Sequence, residues 1–378
     1  MHMLWLLLAC APPAPPDVLL IVVDALRADR VSAESRGRPT PNLDALCEGS
    51  LVFSHAFAHG VDTRSSMPAL LSGLSAHGPW LGERLGEAGY QSAVFTGNAW
   101  IQAPLTDGFQ RVERVEYSYL GPEEARVDGA DLVAAYEAWL KQAPRDTPTL
   151  AWLHLMDVHE PLNPPAPWAG RYSSPGNILM FNGRVRREIP PDQLQRLADR
   201  YDEAVGWTDT LLGRAIAALD ARGRDSVVLL TADHGEALGE RGQLGHGGAI
   251  TPEIAAVPLV LRLPLRQGRR VEAPVGHLDV LPTLLAAAGL PEDLPGVDLR
   301  GPIPADRRLP ISARALDDGR PLLGEVAWPW LDSAEAAVDL RTGESGPPVP
   351  VTPDTSGFRT IHFAEDPSGR MRALGYVR

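Results

Sequence analysis

Residues 17–24 read Asp-Val-Leu-Leu-Ile-Val-Val-Asp. A short unbroken apolar run that ends in a carboxylate is how a strand buried on both faces of a parallel sheet reads. Strand and helix signals alternate outward from it. Thr40-Pro41 offers an N-cap and a proline at the first helical position, opening a helix to about Glu48. Further helices are expected at Ser65–Leu74, Trp80–Gly89, Glu123–Gln142, Asp192–Arg222 and Asp279–Ala288. Further strands are expected at Gln91–Thr96, Thr149–Met156, Ser226–Thr231 and Val257–Leu263. That alternation predicts a three-layer α/β/α fold around a mostly parallel central sheet. From Pro161 to Pro191 the chain is Pro-rich with few periodic signals, and loops of that length are usually functional. After about Pro291 the composition shifts to Pro, Gly, Asp and Arg. Strand-like runs at Pro321–Ala327, Ala336–Leu340 and Phe358–Phe363 predict a small C-terminal antiparallel appendage.

Composition sets the outer bounds. Of 378 residues, 44% are hydrophobic and 22% charged, which is globular and excludes a disordered chain. A formal net charge of −13 disfavours a nucleic-acid partner. No apolar run reaches the ~18–20 residues of a membrane-spanning helix. Two cysteines are too few for a disulfide framework or a cysteine metal site. Leu7-Leu8-Ala9-Cys10, followed by Pro-rich sequence, looks like a bacterial lipobox, although the stretch before it has no Lys or Arg. On that reading Cys10 is a lipidated membrane tether, and the protein belongs to the cell envelope or periplasm. Cys47 reads as an inert buried thiol.

In open α/β sheets ligands bind at the carboxyl ends of the strands. Three strands end there in polar groups: Asp24 after the first, Asp157 and His159 after Thr149–Met156, and Asp233 and His234 after Ser226–Thr231. Carboxylates and imidazoles at one rim are the ingredients of a divalent-metal site. Thr63 lies just before the helix expected near Ser65, where helix N–H groups favour an anion. On residues alone it is equally an ordinary cap, with Ser65 and Ser66 as alternatives. Arg27 and Asp29 read as a structural ion pair, and His154 as either a core histidine or a ligand. His277 reads as a surface or capping group, Trp328 and Trp330 as packing, and Arg269-Arg270 as a solvated turn.

Seven stretches in order resemble the sulfatase branch of the alkaline phosphatase superfamily. DVLLIVVDALRADR (17–30) looks like its first metal-binding strand, and TPNLDALCEGSLVF (40–53) like the next helix. TRSSMPALLSG (63–73) occupies the place of the nucleophile motif, and WLHLMDVHEP (152–161) that of the His-and-Asp strand. TADHGEALGERGQLGHG (231–247) matches the Asp-His-Gly-Glu motif and its downstream histidine. DVLPTLLAAAG (279–289) and the terminal Leu374-Gly375-Tyr376-Val377 also resemble family sequence. The resemblance implies a catalytic domain over 17–290, a signal and tether over 1–16, and a reduced C-terminal subdomain over 291–378.

Departures from the sulfatase pattern shape the functional expectation. Sulfatases place a Cys or Ser at the nucleophile position, converted to formylglycine; here it is Thr63, which cannot be converted. Met67 stands where the family has an Arg, Ala25 replaces one of two paired aspartates, and Gly97-Asn98 replaces a Gly-Lys. Thr63 with Ser66 and Pro68, and His154, His159 and His246, resemble phosphoethanolamine transferases instead. By that resemblance Asp24, Thr63, Asp233 and His234 bind one metal while His159 and His246 face the substrate. Zn²⁺ or Mn²⁺ is favoured over Ca²⁺, and a second metal at Asp157 and His159 is disfavoured. Those transferases carry a membrane domain of several helices, for which the residues before Asp17 leave no room, so water is the expected acceptor. The expected activity is hydrolysis of phosphate or sulfate esters, phosphoester favoured, on a small-molecule, glycan or lipid ester. A phosphoethanolamine-type transferase and a catalytically inactive binding protein on the same scaffold are the alternatives.

Overall fold

The computed structural model describes residues 14–31, 38–73, 80–115, 129–174, 189–314, 321–327, 330–333, 337–340 and 345–346. Eight strands make the central sheet: β1 (Asp17–Val23), β2 (Leu51–Phe53), β3 (Gln91–Thr96), β4 (Arg111–Arg114), β5 (Thr149–Leu155), β6 (Ser226–Thr231), β7 (Leu259–Arg262) and β8 (Arg269–Val271). Their spatial order is β8-β2-β7-β6-β1-β5-β3-β4. β1 is buried at every residue, as an apolar run with no polar face requires. It pairs in parallel with β5 on one side and β6 on the other. β7 runs antiparallel to both its neighbours, β6 and β2. The apolar run that forms it satisfies either direction.

Register decides where the polar residues go. Val23 lies opposite Leu155 and Val22 opposite Thr231. The residues following β1, β5 and β6 therefore emerge together at one edge. The Asp24 amide closes that edge by donating to the Leu155 carbonyl (2.8 Å).

Helices α1 (Pro41–Glu48) and α4 (Gly129–Gln142) pack on the 30-residue α5 (Pro191–Asp220). Helices α2 (Thr63–Ser72) and α3 (Leu81–Glu87) pack on α6 (Val280–Ala287), giving the two helical layers. Thr40 does precede α1, but its side chain makes no cap. Asp209 from α5 takes that role: its carboxylate accepts from the amides of Asn42 (3.2 Å) and Leu43 (2.7 Å) and from the Asn42 side chain (2.9 Å). α2 begins two residues earlier than expected, at Thr63, because Asp62 is the N-cap and forms a capping box with Ser65. Arg269 and Arg270 lie in the exposed edge strand β8 rather than in a turn.

The appendage is a five-stranded antiparallel sheet, β9 (Arg308–Arg314), β10 (Pro321–Ala327), β11 (Trp330–Ser333), β12 (Ala337–Asp339) and β13 (Ser345–Gly346), in sequential order. Its buried residues Leu309, Ile311, Val326, Leu331 and Val338 share a second core with Phe57, Val61, Ile250 and Ile254. The Ser312 amide donates to the His59 carbonyl (2.8 Å), which ties the appendage to the loop just before Thr63. Cys10, Trp328, Phe358–Phe363 and Leu374–Val377 lie outside the described residues. Among the described residues, no helix is long and apolar enough to cross a membrane.

His277 is buried, contrary to the surface reading. Its Nε2 donates to the Ala232 carbonyl (2.9 Å), and its Nδ1 accepts from the His59 amide (3.3 Å). Both partners come from distant segments that local sequence does not reveal. Burial pushes His277 down to about 4 and His59 down to about 3. In the unfolded chain both protonate near the ordinary histidine value of ~6.5, so unfolding takes up protons below it. Denaturant melts are expected to lose stability as the pH falls from ~6.5 to ~4, and His277→Gln to flatten that slope. In a separate melt at neutral pH, Asp209→Ala is expected to cost about 2 kcal/mol by stripping the α1 N-terminus of its acceptor.

Candidate active site

Asp24 leaves β1 into a turn whose next residue, Ala25, has a left-handed backbone (φ +60°). For a residue with a Cβ that conformation costs ~1–2 kcal/mol. Asp24 is fully buried, and its Oδ2 gathers three contacts. Asn98 Nδ2 donates to it at 2.7 Å, His154 Nε2 at 3.1 Å and Thr63 Oγ1 at 3.4 Å. The amide orientation of Asn98 is fixed, because its Oδ1 accepts from the Trp100 amide (2.8 Å). Its Nδ2 therefore serves the site, and it also reaches Thr63 Oγ1 at 3.2 Å.

The other Asp24 oxygen, Oδ1, has no hydrogen-bond partner among the described residues. Neither has Asp233 Oδ2 or His234 Nε2, and all three atoms are buried. They face one another: His234 Nε2 lies 3.6 Å from Asp24 Oδ1 and 3.5 Å from Asp233 Oδ2. Asp233 Oδ1 is engaged elsewhere, accepting from the amides of Ala25 (3.2 Å) and His234 (2.9 Å). His234 Nδ1 donates to the Gly235 carbonyl (2.9 Å), which turns Nε2 toward the two carboxylates. Two carboxylate oxygens and an imidazole nitrogen, buried without hydrogen-bond partners among the described residues, form a donor set that a divalent cation fits. Proximity alone also groups His154 with Asp24 and Asp233, their atoms lying within 4.8 Å of one another. His154 Nε2 already bonds Asp24 Oδ2, however, so it braces that carboxylate, and His234 Nε2 is left facing both carboxylates.

Thr63 is the first residue of α2, buried, with its hydroxyl against Asp24 and Asn98. His246 and His159 stand beside this cluster. Their ring centroids are 5.1 Å apart, and His246 is 4.2 Å from His234. His246 Nδ1 lies 3.2 Å from both oxygens of Glu236, and His159 Nδ1 donates to the Glu160 carbonyl at 2.7 Å. Burial favours a neutral His246, and the Glu236 carboxylate outweighs it, holding the ring above its ordinary value. Burial likewise pushes the Asp24 carboxyl up, but His159, His154 and His234 together outweigh it and hold it well below the usual range.

The structure thus brings together Asp24, Thr63, Asp233, His234, His159 and His246. Asp157 turns elsewhere: its Oδ1 accepts from the Gly129 amide (3.3 Å) and Trp207 Nε1 (2.9 Å), bracing α4 against α5. Arg27 and Asp29 do pair, at 2.9 Å. Three contributors went unassigned in the sequence. Asn98 reads there as an absent lysine, Glu236 only as part of a motif, and His154 as either a core histidine or a ligand. The signal for Asn98 was its place after β3 at the same sheet edge.

Known proteins give this arrangement its family. The curated protein "Uncharacterized sulfatase YidJ" of Escherichia coli (strain K12) is 24% identical over 352 residues, covering 75% of this chain and 70% of that one. Steryl-sulfatase of Rattus norvegicus is 34% identical over 167 residues, 39% of this chain and 25% of that protein. The phosphonate monoester hydrolase of Agrobacterium radiobacter has the same fold, with a TM-score of 0.71 at 21% identity over 87% of this chain and 90% of that one. The family model described as Sulfatase matches residues 16–290. That match spans most of the chain and every residue of the cluster, and the protein belongs to the sulfatase family.

Proposed function

We propose that this protein is a metal-dependent ester hydrolase that prefers phosphoesters to sulfate esters, with Thr63 as its nucleophile. The observation that carries the reading is the Thr63 hydroxyl, hydrogen-bonded to Asp24 and Asn98 beside three partnerless donor atoms. Asp24, Asp233, His234 and the Thr63 oxygen would hold one divalent ion. The mixed nitrogen and oxygen set suits Zn²⁺ or Mn²⁺ better than Ca²⁺, which prefers more oxygens. Bound there, the ion would lower the pKa of the Thr63 hydroxyl and polarise an ester oxygen.

The chain's own groups supply the rest. Asn98 fixes the Thr63 oxygen for in-line attack on phosphorus. The Thr63 hydroxyl gives its proton to solvent, and the Oγ–P bond forms as the bond to the leaving oxygen breaks. His246 carries its Nδ1 proton on Glu236, which leaves Nε2 to deliver a proton to that leaving oxygen. His159, oriented through Nδ1 by the Glu160 carbonyl, keeps Nε2 for a phosphoryl oxygen. Water then attacks the phosphothreonine and gives a proton to the now neutral His246 Nε2; the Oγ–P bond breaks, phosphate is released, and the Thr63 oxygen regains a proton from solvent.

The preference for phosphorus follows from Thr63. A sulfatase attacks with a hydrated aldehyde, so its sulfated intermediate breaks down by elimination. A threonine ester has no such exit and needs a second attack by water, which phosphorus accepts with charge borne by neighbouring groups.

Purified protein assayed on matched aryl phosphoesters and aryl sulfate is expected to turn over a phosphoester faster. Thr63→Ala should lower that rate ~10³-fold or more while the fold persists, and Thr63→Ser should retain part of it. Faster aryl sulfate turnover overturns the phosphoester reading, and wild-type rates in Thr63→Ala overturn the nucleophile. For the Glu236–His246 pair, Glu236→Gln is expected to lower kcat ~10²-fold with KM changed little. Adding it to His246→Ala should cost little more, since the two act as a unit; full additivity in that double-variant cycle contradicts the pairing.

A further inference from the structure

The turn that aims Asp24 is strained and held from outside the strand. Ala25 is fully buried in the left-handed conformation, φ +60°, although it carries a Cβ. Its amide donates to Asp233 Oδ1 (3.2 Å), and its carbonyl accepts from the Tyr201 hydroxyl (2.6 Å). The same Tyr201 oxygen accepts from the Arg27 amide (2.9 Å). Tyr201 is wholly buried within α5. The Arg27 side chain, beyond the turn, donates to the Glu236 carbonyl (2.9 Å) and to Glu240 (2.8 Å). One phenol therefore closes both ends of a turn that begins one residue after a carboxylate of the cluster.

We propose that Tyr201 is a positioning residue: its hydroxyl clamps the left-handed Ala25 turn and thereby presents Asp24 Oδ1 to Asp233 and His234. The proposal rests on the reading of Asp24 as a metal-holding carboxylate. Without the hydroxyl, the Ala25 carbonyl and Arg27 amide are buried and unpartnered. The turn then relaxes toward the allowed right-handed or extended regions, and Asp24 rotates with it. A glycine at position 25 takes the left-handed conformation at no steric cost, so it holds the turn with less need of the clamp.

The test is calorimetric titration of Mn²⁺ into metal-free full-length protein, with cooperative thermal unfolding checked in each variant. Tyr201→Phe is expected to bind Mn²⁺ ~10–100-fold more weakly, the range seen when a group supporting a metal ligand is lost. Its phosphoester turnover should fall in kcat more than in KM. Adding Ala25→Gly to Tyr201→Phe should recover at least ~3-fold of the affinity. A Tyr201 that only fills space gives no such rescue, so absence of rescue overturns the proposal, as does wild-type affinity in a folded Tyr201→Phe. If Tyr201→Phe does not fold, hydrogen exchange on the wild type decides. By linkage, Mn²⁺ must raise the protection of the Arg27 amide, and unchanged protection overturns the clamp. A wild-type protein that binds no Mn²⁺ or Zn²⁺ overturns the metal reading and the clamp together, and is distinguished from failure of the clamp alone by that first titration.

Discussion

Two carboxylate oxygens and an imidazole nitrogen face one another in the interior with no hydrogen-bond partner among the described residues. Asp24 Oδ1, Asp233 Oδ2 and His234 Nε2 make that contact, and much of the surrounding structure serves to keep them there. Burying two such charges is costly, and their other atoms are accordingly saturated. Asp24 Oδ2 takes hydrogens from Asn98, His154 and Thr63, and Asp233 Oδ1 takes two backbone amides. The cost that remains falls on the three facing atoms, which is the arrangement a cation relieves.

The sheet makes this convergence a matter of register. β1, β5 and β6 are adjacent and parallel, so the residues after each strand emerge at one edge. The groups that surround the cluster reach it from different layers. Thr63 comes from the start of α2, Tyr201 from α5, and Asn98 from the loop after β3. The appendage holds the loop that precedes Thr63 through the His59 carbonyl, linking residues far beyond the central sheet to the position of Thr63. The family supplies the scaffold, while Thr63, Ala25 and Asn98 depart from its sulfatase pattern at the site itself.

The sequence was most informative where a single strand carried its own evidence. The apolar run ending in Asp24 and the strands Gln91–Thr96 and Ser226–Thr231 stand where periodicity puts them. The central-sheet strands it missed, Leu51–Phe53, Arg111–Arg114 and Arg269–Val271, are three or four residues each and carry too few positions for alternation to register. The direction of β7 was not legible because an apolar strand reads the same both ways. At the site, residues at strand ends could be gathered by the rule that parallel strands deliver them to one edge. Glu236, Asn98, His154 and Tyr201 work through partners that lie from 10 to 176 positions away in the chain, and no local pattern encodes such meetings. The left-handed Ala25 was equally hidden, since nothing around an alanine announces that its turn is held by a tyrosine on another helix.

We propose that the buried cluster is a site for a single divalent cation. Metal-free protein titrated with Zn²⁺ or Mn²⁺ by calorimetry, with elemental analysis of the loaded sample, tests it most directly. The account predicts one equivalent bound, with the binding abolished in Asp233→Asn, whose fold is checked by its far-ultraviolet circular dichroism. Binding of neither ion, or undiminished binding in a folded Asp233→Asn, would contradict it.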